Sequence, residues 1–217
     1  MNICVLEKMT MKKLFLLILC IVHCALCFDV VAQNDREAER KVNAAVAELK
    51  RSAYEGRYTL LIYNAESELV DKQSGDITLK GNRFRLTLAG NETKYDGKTQ
   101  WMYMSEYNEV SVTEPTTDEL RELNPLVMIE HYVATDRIAM GENGEINFYP
   151  QTPKGSEYFK VELHLNRLNL PTRLIVHQSN GNKITIHFEE LRKSSVDNSF
   201  FVFDVSKYPN VEVNDLR

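Results

Sequence analysis

Apolar residues along this chain follow two different periods. Ala38, Val42, Ala45, Val46 and Leu49 recur at helical spacing, with Glu37, Arg40, Lys41 and Glu48 on the other side. Asn34 or Asp35 supplies the side-chain acceptor that caps such a helix. From Tyr58 the period becomes two: Tyr58, Leu60 and Ile62, then Ile77 and Leu79, then Phe84, Leu86 and Leu88. Polar Asp76, Thr78, Lys80, Arg83, Arg85 and Thr87 fall between them. Such alternation predicts antiparallel strands with one buried and one wet face. Asp96-Gly97 predicts a two-residue hairpin, because both central residues of a type I′ turn need positive φ. Further strands are predicted through Thr99, Trp101 and Tyr103, and around Val110 and Val112.

The pattern breaks in the middle. Asp118 to Leu123 and then Asn124-Pro125-Leu126-Val127-Met128-Ile129 read as two short helices split at Pro125, which fits the first turn of a helix but not its interior. Strands resume at Ile146 to Tyr149, Tyr158 to Leu165, Arg173 to Gln178, Lys183 to Phe188 and Phe200 to Phe203. The order helix, strands, short helices, strands predicts an antiparallel sheet with helices on one face. In the last hairpin, Leu174 and Val176 share a face with Ile184, Ile186 and Phe188 only if the loop has an odd number of residues. An odd loop around Asn180-Gly181-Asn182 is therefore expected.

The N-terminus changes the picture of where this domain works. Lys12-Lys13 precede an apolar run from Leu14 to Phe28, and Val30-x-Ala32 offers small residues for cleavage. The run falls short of the ~20 residues that span a bilayer, so residues 1–32 read as a cleaved signal peptide and 33–217 as a single mature domain. Translation starting at Met9 or Met11 is an alternative. All four cysteines, Cys4, Cys20, Cys24 and Cys27, lie in the leader. The residues before Cys20, Cys24 and Cys27 are Leu19, His23 and Leu26, unlike the small residue of a lipoprotein signal. The mature domain thus lacks disulfides and thiol chemistry, and a soluble secreted protein is expected. Loss of Lys8, Lys12, Lys13, Glu7 and Asp29 takes the formal charge from −5 to −6, which argues against nucleic acid as a partner.

Catalytic motifs are missing: there is no G-x-S-x-G, H-E-x-x-H or phosphate-cradling glycine loop. The chain is read as a non-enzyme with no cofactor. His164, His177 and His187 fall on the polar faces of three consecutive strands and form the best metal candidate, but ordinary surface histidines explain them more simply. Tyr63, Tyr95, Trp101, Tyr103, Tyr107 and Phe84 offer an aromatic platform, although alternation already assigns most of them to a core. Met102, Met104, Met128 and Met140 are soft surfaces able to fit varied apolar partners.

Several segments together resemble the LolA family: Gly75-Asp76-Ile77-Thr78-Leu79-Lys80, Arg83-Phe84-Arg85, Tyr95 to Tyr103 with its Asp96-Gly97-Lys98, and Asn108 to Val112. Asn124-Pro125-Leu126, Leu170-Pro171-Thr172, Gly181 to Phe188 and Phe201-Val202-Phe203 extend the resemblance over nearly all of Glu37 to Val213. The resemblance implies an α+β, mainly antiparallel fold: an incomplete, half-open β-barrel with a helical lid over an apolar cavity. It implies a periplasmic carrier of outer-membrane lipoproteins, taking acylated lipoproteins from an inner-membrane lipoprotein-releasing ABC transporter to an outer-membrane acceptor. A monomer with transient membrane contact is expected. A lipid sensor or carrier of another lipid on the same fold is the alternative. Alternation and helical spacing then nominate the cavity lining as Leu60, Ile62, Ile77, Leu79, Phe84, Leu86, Trp101 and Tyr103 from strands, with Leu126, Val127 and Ile129 from the lid. Many family members carry Lys-Arg-Pro where this chain has Lys80-Gly81-Asn82, and the family's arginine holds the lid. Apolar contact is expected to hold it here.

Overall fold

The computed structural model describes residues 35–217; the leader assigned to residues 1–32 lies outside them. The described chain opens with α1 (Arg36–Arg51), whose N-cap Asp35 accepts from the backbone N–H groups of Glu37 and Ala38 at 2.8 and 3.3 Å. Ala38, Val42, Ala45 and Leu49 form its buried stripe, as the spacing predicts. Asp35 also ties the start of α1 to a distant strand, since its N–H donates to the Ile138 carbonyl at 2.9 Å.

Among the described residues, twelve strands form one open sheet. In chain order they are β1 (Ala53–Tyr63), β2 (Leu69–Lys80), β3 (Arg83–Leu88), β4 (Asn91–Tyr95), β5 (Gln100–Met104), β6 (Glu109–Thr113), β7 (Asp136–Met140), β8 (Ile146–Pro150), β9 (Tyr158–Leu165), β10 (Pro171–Gln178), β11 (Lys183–Ser194) and β12 (Glu212–Asp215). Their spatial order is β12-β6-β5-β4-β3-β2-β1-β11-β10-β9-β8-β7. Every neighbouring pair is antiparallel except β12 with β6. Between β6 and β7 lie α2 (Thr117–Leu123) and α3 (Pro125–Thr135). A capping box between Thr116 and Glu119 starts α2, while Asn124 caps α3 and Pro125 occupies its first turn.

The sheet buries its inner face against α1 and α3. Phe84, Leu79, Phe148, Val161, Leu163 and Leu174 from strands meet Val42 and Leu49 of α1 and Leu126, Ile129 and Tyr132 of α3 in one core. The two flanking helices differ in kind: α3 is apolar nearly all round, with four buried residues, and α2 has none. A helix that is hydrophobic all round belongs inside, so α3 is part of the core, while α2 packs against it only with half-buried Leu120 and Leu123.

Two hairpins show what parity can decide. Leu174 pairs with Ile186 and Val176 with Ile184, so the β10–β11 loop is odd, as expected. Gln178 N–H donates to the Asn182 carbonyl at 2.9 Å around Ser179-Asn180-Gly181, and Gly181 takes φ +91. The β4–β5 turn differs from the type I′ expectation. Tyr95 pairs with Gln100, and the Asp96 carboxylate accepts from the N–H groups of Lys98 and Thr99 at 2.9 and 2.8 Å. An Asx-type turn centred on Gly97 and Lys98 results, with Gly97 at φ +106.

The segment predicted as a strand at Phe200 to Phe203 is instead a 3-10 turn over Asn198–Phe201 and an extended tail. Asp197 captures the Phe200 N–H at 3.2 Å and so favours the turn. This C-terminal segment stays on the outer face. Phe203 stacks on Tyr208 with centroids 4.3 Å apart, both rings meet Tyr103, and β12 then pairs with the edge strand β6.

Candidate functional site

Where α1 and α3 stop covering the inner face, an apolar trough remains. Leu60 and Ile62 of β1, Leu86 and Leu88 of β3, Val176 of β10, and Ile184 and Ile186 of β11 are only half-buried there. Register explains their common side: Leu60 pairs with Ile186, Ile62 with Ile184, Val176 with Ile184, and Ile77 with Leu86. The narrow end is a pocket of about 230 Å³ under Leu123, Pro125 and Met128. The wide end, about 940 Å³, opens past Tyr132 and Tyr158. Leu60, Glu122, Met128 and Ile186 line both, so the two are ends of one groove. Its wide end lies within the ~300–1,000 Å³ usual for small-molecule sites.

The wide mouth carries the polar groups. Arg121 of α2 and His131 of α3 face each other, with Arg121 Nη1 3.4 and 3.3 Å from the two ring nitrogens of His131 and 3.3 Å from Asp118 Oδ1. Burial, and then the Arg121 charge, hold the His131 pKa below its ordinary value and favour the neutral ring. Asp136 is buried, but its carboxylate accepts from Tyr158 Oη at 2.8 Å on both oxygens and from Thr135 Oγ1 at 2.8 Å. Burial pushes the Tyr132 phenol up to about 12, so it remains a neutral wall of the mouth. Among the described residues, no three His, Cys, Asp or Glu side chains converge as metal ligands. His164 meets Arg173 at 3.1 Å and Glu162 at 3.6 Å, and His177 meets Glu162 at 2.8 Å, so these two outer-face histidines share one carboxylate.

The family model described as outer membrane lipoprotein carrier protein LolA matches residues 28–152, more than half of the chain. The chain belongs to the LolA family. Among solved structures, an uncharacterised conserved protein from Thermus thermophilus aligns over 83% of this chain and 99% of its own, with TM-score 0.53 and 12% identity. A LolA-superfamily protein from Nitrosomonas europaea aligns over 77% and 98%, with TM-score 0.48 and 11% identity. The MucA/MucB complex of Pseudomonas aeruginosa aligns over 78% and 62%, with TM-score 0.47 and 14% identity. The likeness to the Thermus protein is one of fold. No curated protein matches the sequence.

On this LolA-family sheet, the residues nominated from sequence separate into four groups. Leu60, Ile62, Ile77 and Leu86 line the groove. Leu79, Phe84, Leu126 and Ile129 are at most 1% exposed and belong to the packed core beneath α1 and α3; Val127, half-buried, is off the stripe of α3 (Pro125, Met128, Tyr132) that faces the groove. Trp101 and Tyr103 are corrected outright, because they lie on the opposite, outer face. Phe84 pairs with Tyr95 and Tyr95 with Gln100, which puts Gln100 and Met102 on the inner side. Tyr103 instead packs on Phe203 and Tyr208, and its hydroxyl donates to Asn108 Oδ1 at 3.1 Å. Sequence reading missed Leu88, Met128, Val176, Ile184 and Ile186 as groove residues. The alternation that found Leu60 also marks Val176, Ile184 and Ile186.

The position of the family arginine has its own solution. The Gly81–Asn82 turn is tied to the helices by Asn124, whose Nδ2 donates to the Asn82 carbonyl at 3.1 Å while its Oδ1 accepts from Leu126 N–H at 2.9 Å. Asn124 is fully buried. Lys80 points elsewhere: its Nζ donates to the Val196 carbonyl at 2.9 Å, on the C-terminal segment. The corner is held by a neutral amide clasp together with the apolar contacts of Leu126 and Ile129.

Proposed function

We propose that this protein is a periplasmic carrier that takes the acyl chains of lipoproteins into its inner-face groove and moves them from the inner to the outer membrane. Its donor is an inner-membrane lipoprotein-releasing ABC transporter and its acceptor an outer-membrane protein. The observation that carries the reading is the half-buried row Leu60, Ile62, Leu86, Val176, Ile184 and Ile186, apolar side chains that the protein's own helices cover only in part. Each methylene moved from water into such a trough contributes about 0.8 kcal/mol. An acyl chain with about ten methylenes in the groove gains about 8 kcal/mol gross, and association and ordering costs bring the net below the ~8 kcal/mol of a micromolar Kd. That affinity suits a carrier, which must release as well as bind. The groove needs no catalytic group, and the reading assigns none. Among the described residues no helix is long and apolar enough to cross a membrane.

The test is purification from the native cell envelope followed by mass spectrometry of the bound species and N-terminal sequencing. Acylated N-terminal lipopeptides on a chain starting near Gln33 are the expected result. A preparation free of acyl lipid that also refuses added lipid would overturn the reading.

A further inference from the structure

We infer that the wide mouth of the groove is an anion subsite, and that this protein prefers single-chain amphiphiles with a carboxylate or phosphate head over neutral ones of the same length. The inference rests on the groove being a lipid site. Arg121 lines the mouth beside Leu60, Ile62, Met128 and Ile186, so its guanidinium stands at the end of an apolar channel. Its polar contacts, to His131 and to Asp118, leave from Nη1. A guanidinium carries five N–H donors in a planar fork, so among the described residues the Nη2 and Nε edge, which matches two oxygens of a carboxylate or phosphate, is left for a ligand.

The lining sets Arg121 and Lys154 against the carboxylates of Asp136, Glu122 and Glu157. Asp118 is 82% exposed, so its pairing with Arg121 is a surface ion pair of small worth. Asp136, the buried acid of the mouth, is committed to Tyr158 and Thr135. Lys154 adds a second cation to the lining, against exposed Glu122 and Glu157. His131 packs against Arg121 and holds the guanidinium at the mouth without neutralising it. Chain burial in the trough and head pairing at Arg121 therefore act on two ends of the same molecule.

Isothermal titration of the mature protein with dodecanol, dodecanoate and dodecyl phosphate, each below its micelle concentration, tests the point. The two anions should bind at least about tenfold tighter than the alcohol, a difference of ~1.4 kcal/mol. Arg121→Gln should erase that ratio by bringing the affinity of the two anions down to that of the alcohol. Arg121→Lys, which keeps the charge and loses the fork, should restore part of it. Inorganic phosphate alone should neither bind nor compete at millimolar concentration, since the chain supplies most of the affinity. Equal affinity for alcohol and anions, a preference that survives in Arg121→Gln, or competition by inorganic phosphate would overturn the subsite and leave the lipid groove standing. Failure of all three amphiphiles to bind would overturn the groove reading and the subsite with it.

Discussion

Replacing Asn124 by alanine removes two hydrogen bonds at one buried point. The side chain caps α3 through Leu126 N–H at 2.9 Å, and loss of an Asn cap costs about 1 kcal/mol. It also clasps the Asn82 carbonyl at 3.1 Å, worth about another 1 kcal/mol. Asn82 is exposed and its carbonyl can rehydrate, so no larger penalty for a stranded acceptor is due. Asn124→Ala should therefore cost about 2 kcal/mol. Asn124→Ser keeps a capping oxygen and loses the clasp, and should cost about half as much. Urea unfolding gives the totals. Amide exchange over residues 117–128 shows where the loss falls, since the backbone bonds from Asn124 N–H to Leu120 and from Met128 N–H to Asn124 lose their support. Lys80→Ala should leave protection of α2 and α3 unchanged, because Lys80 holds the Val196 carbonyl instead. The amide clasp is refuted if Asn124→Ala costs less than about 0.5 kcal/mol, or if Lys80→Ala loosens the helices while Asn124→Ala does not.

Two further predictions concern the groove and pH. Leu86→Asp puts a carboxylate into the narrow end of the groove on a half-buried site; uptake of a fluorescent fatty acid should fall at least about tenfold with the circular dichroism spectrum retained, and undiminished uptake would place the site elsewhere. Burial first, and then a neighbouring arginine, lower the pKa of both His131 and His164, so as pH falls below about 6.5 the unfolded chain takes up protons before the folded one does. Stability should thus decline from about pH 7.5 to about pH 6.0, and His131→Gln with His164→Gln should flatten the decline; a urea midpoint that rises on acidification would contradict the assignment.

The fold was legible wherever burial left a period in the sequence. α1, the Pro125 split and the odd β10–β11 loop all follow from apolar spacing and turn chemistry. β4 left no such mark. Its residues Glu92 and Lys94 face outward to Arg85, Tyr208 and the Val202 carbonyl, and its inner Thr93 lines the groove, so only Tyr95 reports burial. Missing β4 also hid the parity that sends Trp101 and Tyr103 outward. Their apolar character is real, but that of Tyr103 serves a second small core built by the C-terminal segment through Phe203 and Tyr208. Alternation identifies the inner face and cannot tell which inner residues another element covers. Leu79 and Phe84 are roofed by α1 and α3, while Leu60 and Leu86, from the same pattern, are not. The polar mouth was not visible either, since Arg121 and His131 are ten positions apart and meet only because Pro125 turns α3 back on α2.

A photoactivatable dodecanoate, cross-linked to the mature protein and mapped by peptide mass spectrometry, tests the central claim most directly. The groove predicts adducts on Leu60, Leu86, Met128 and Ile186, lost when unlabelled dodecanoate competes. Competed adducts on Trp101 or Tyr103 of the outer face, with none in the groove, would contradict the account.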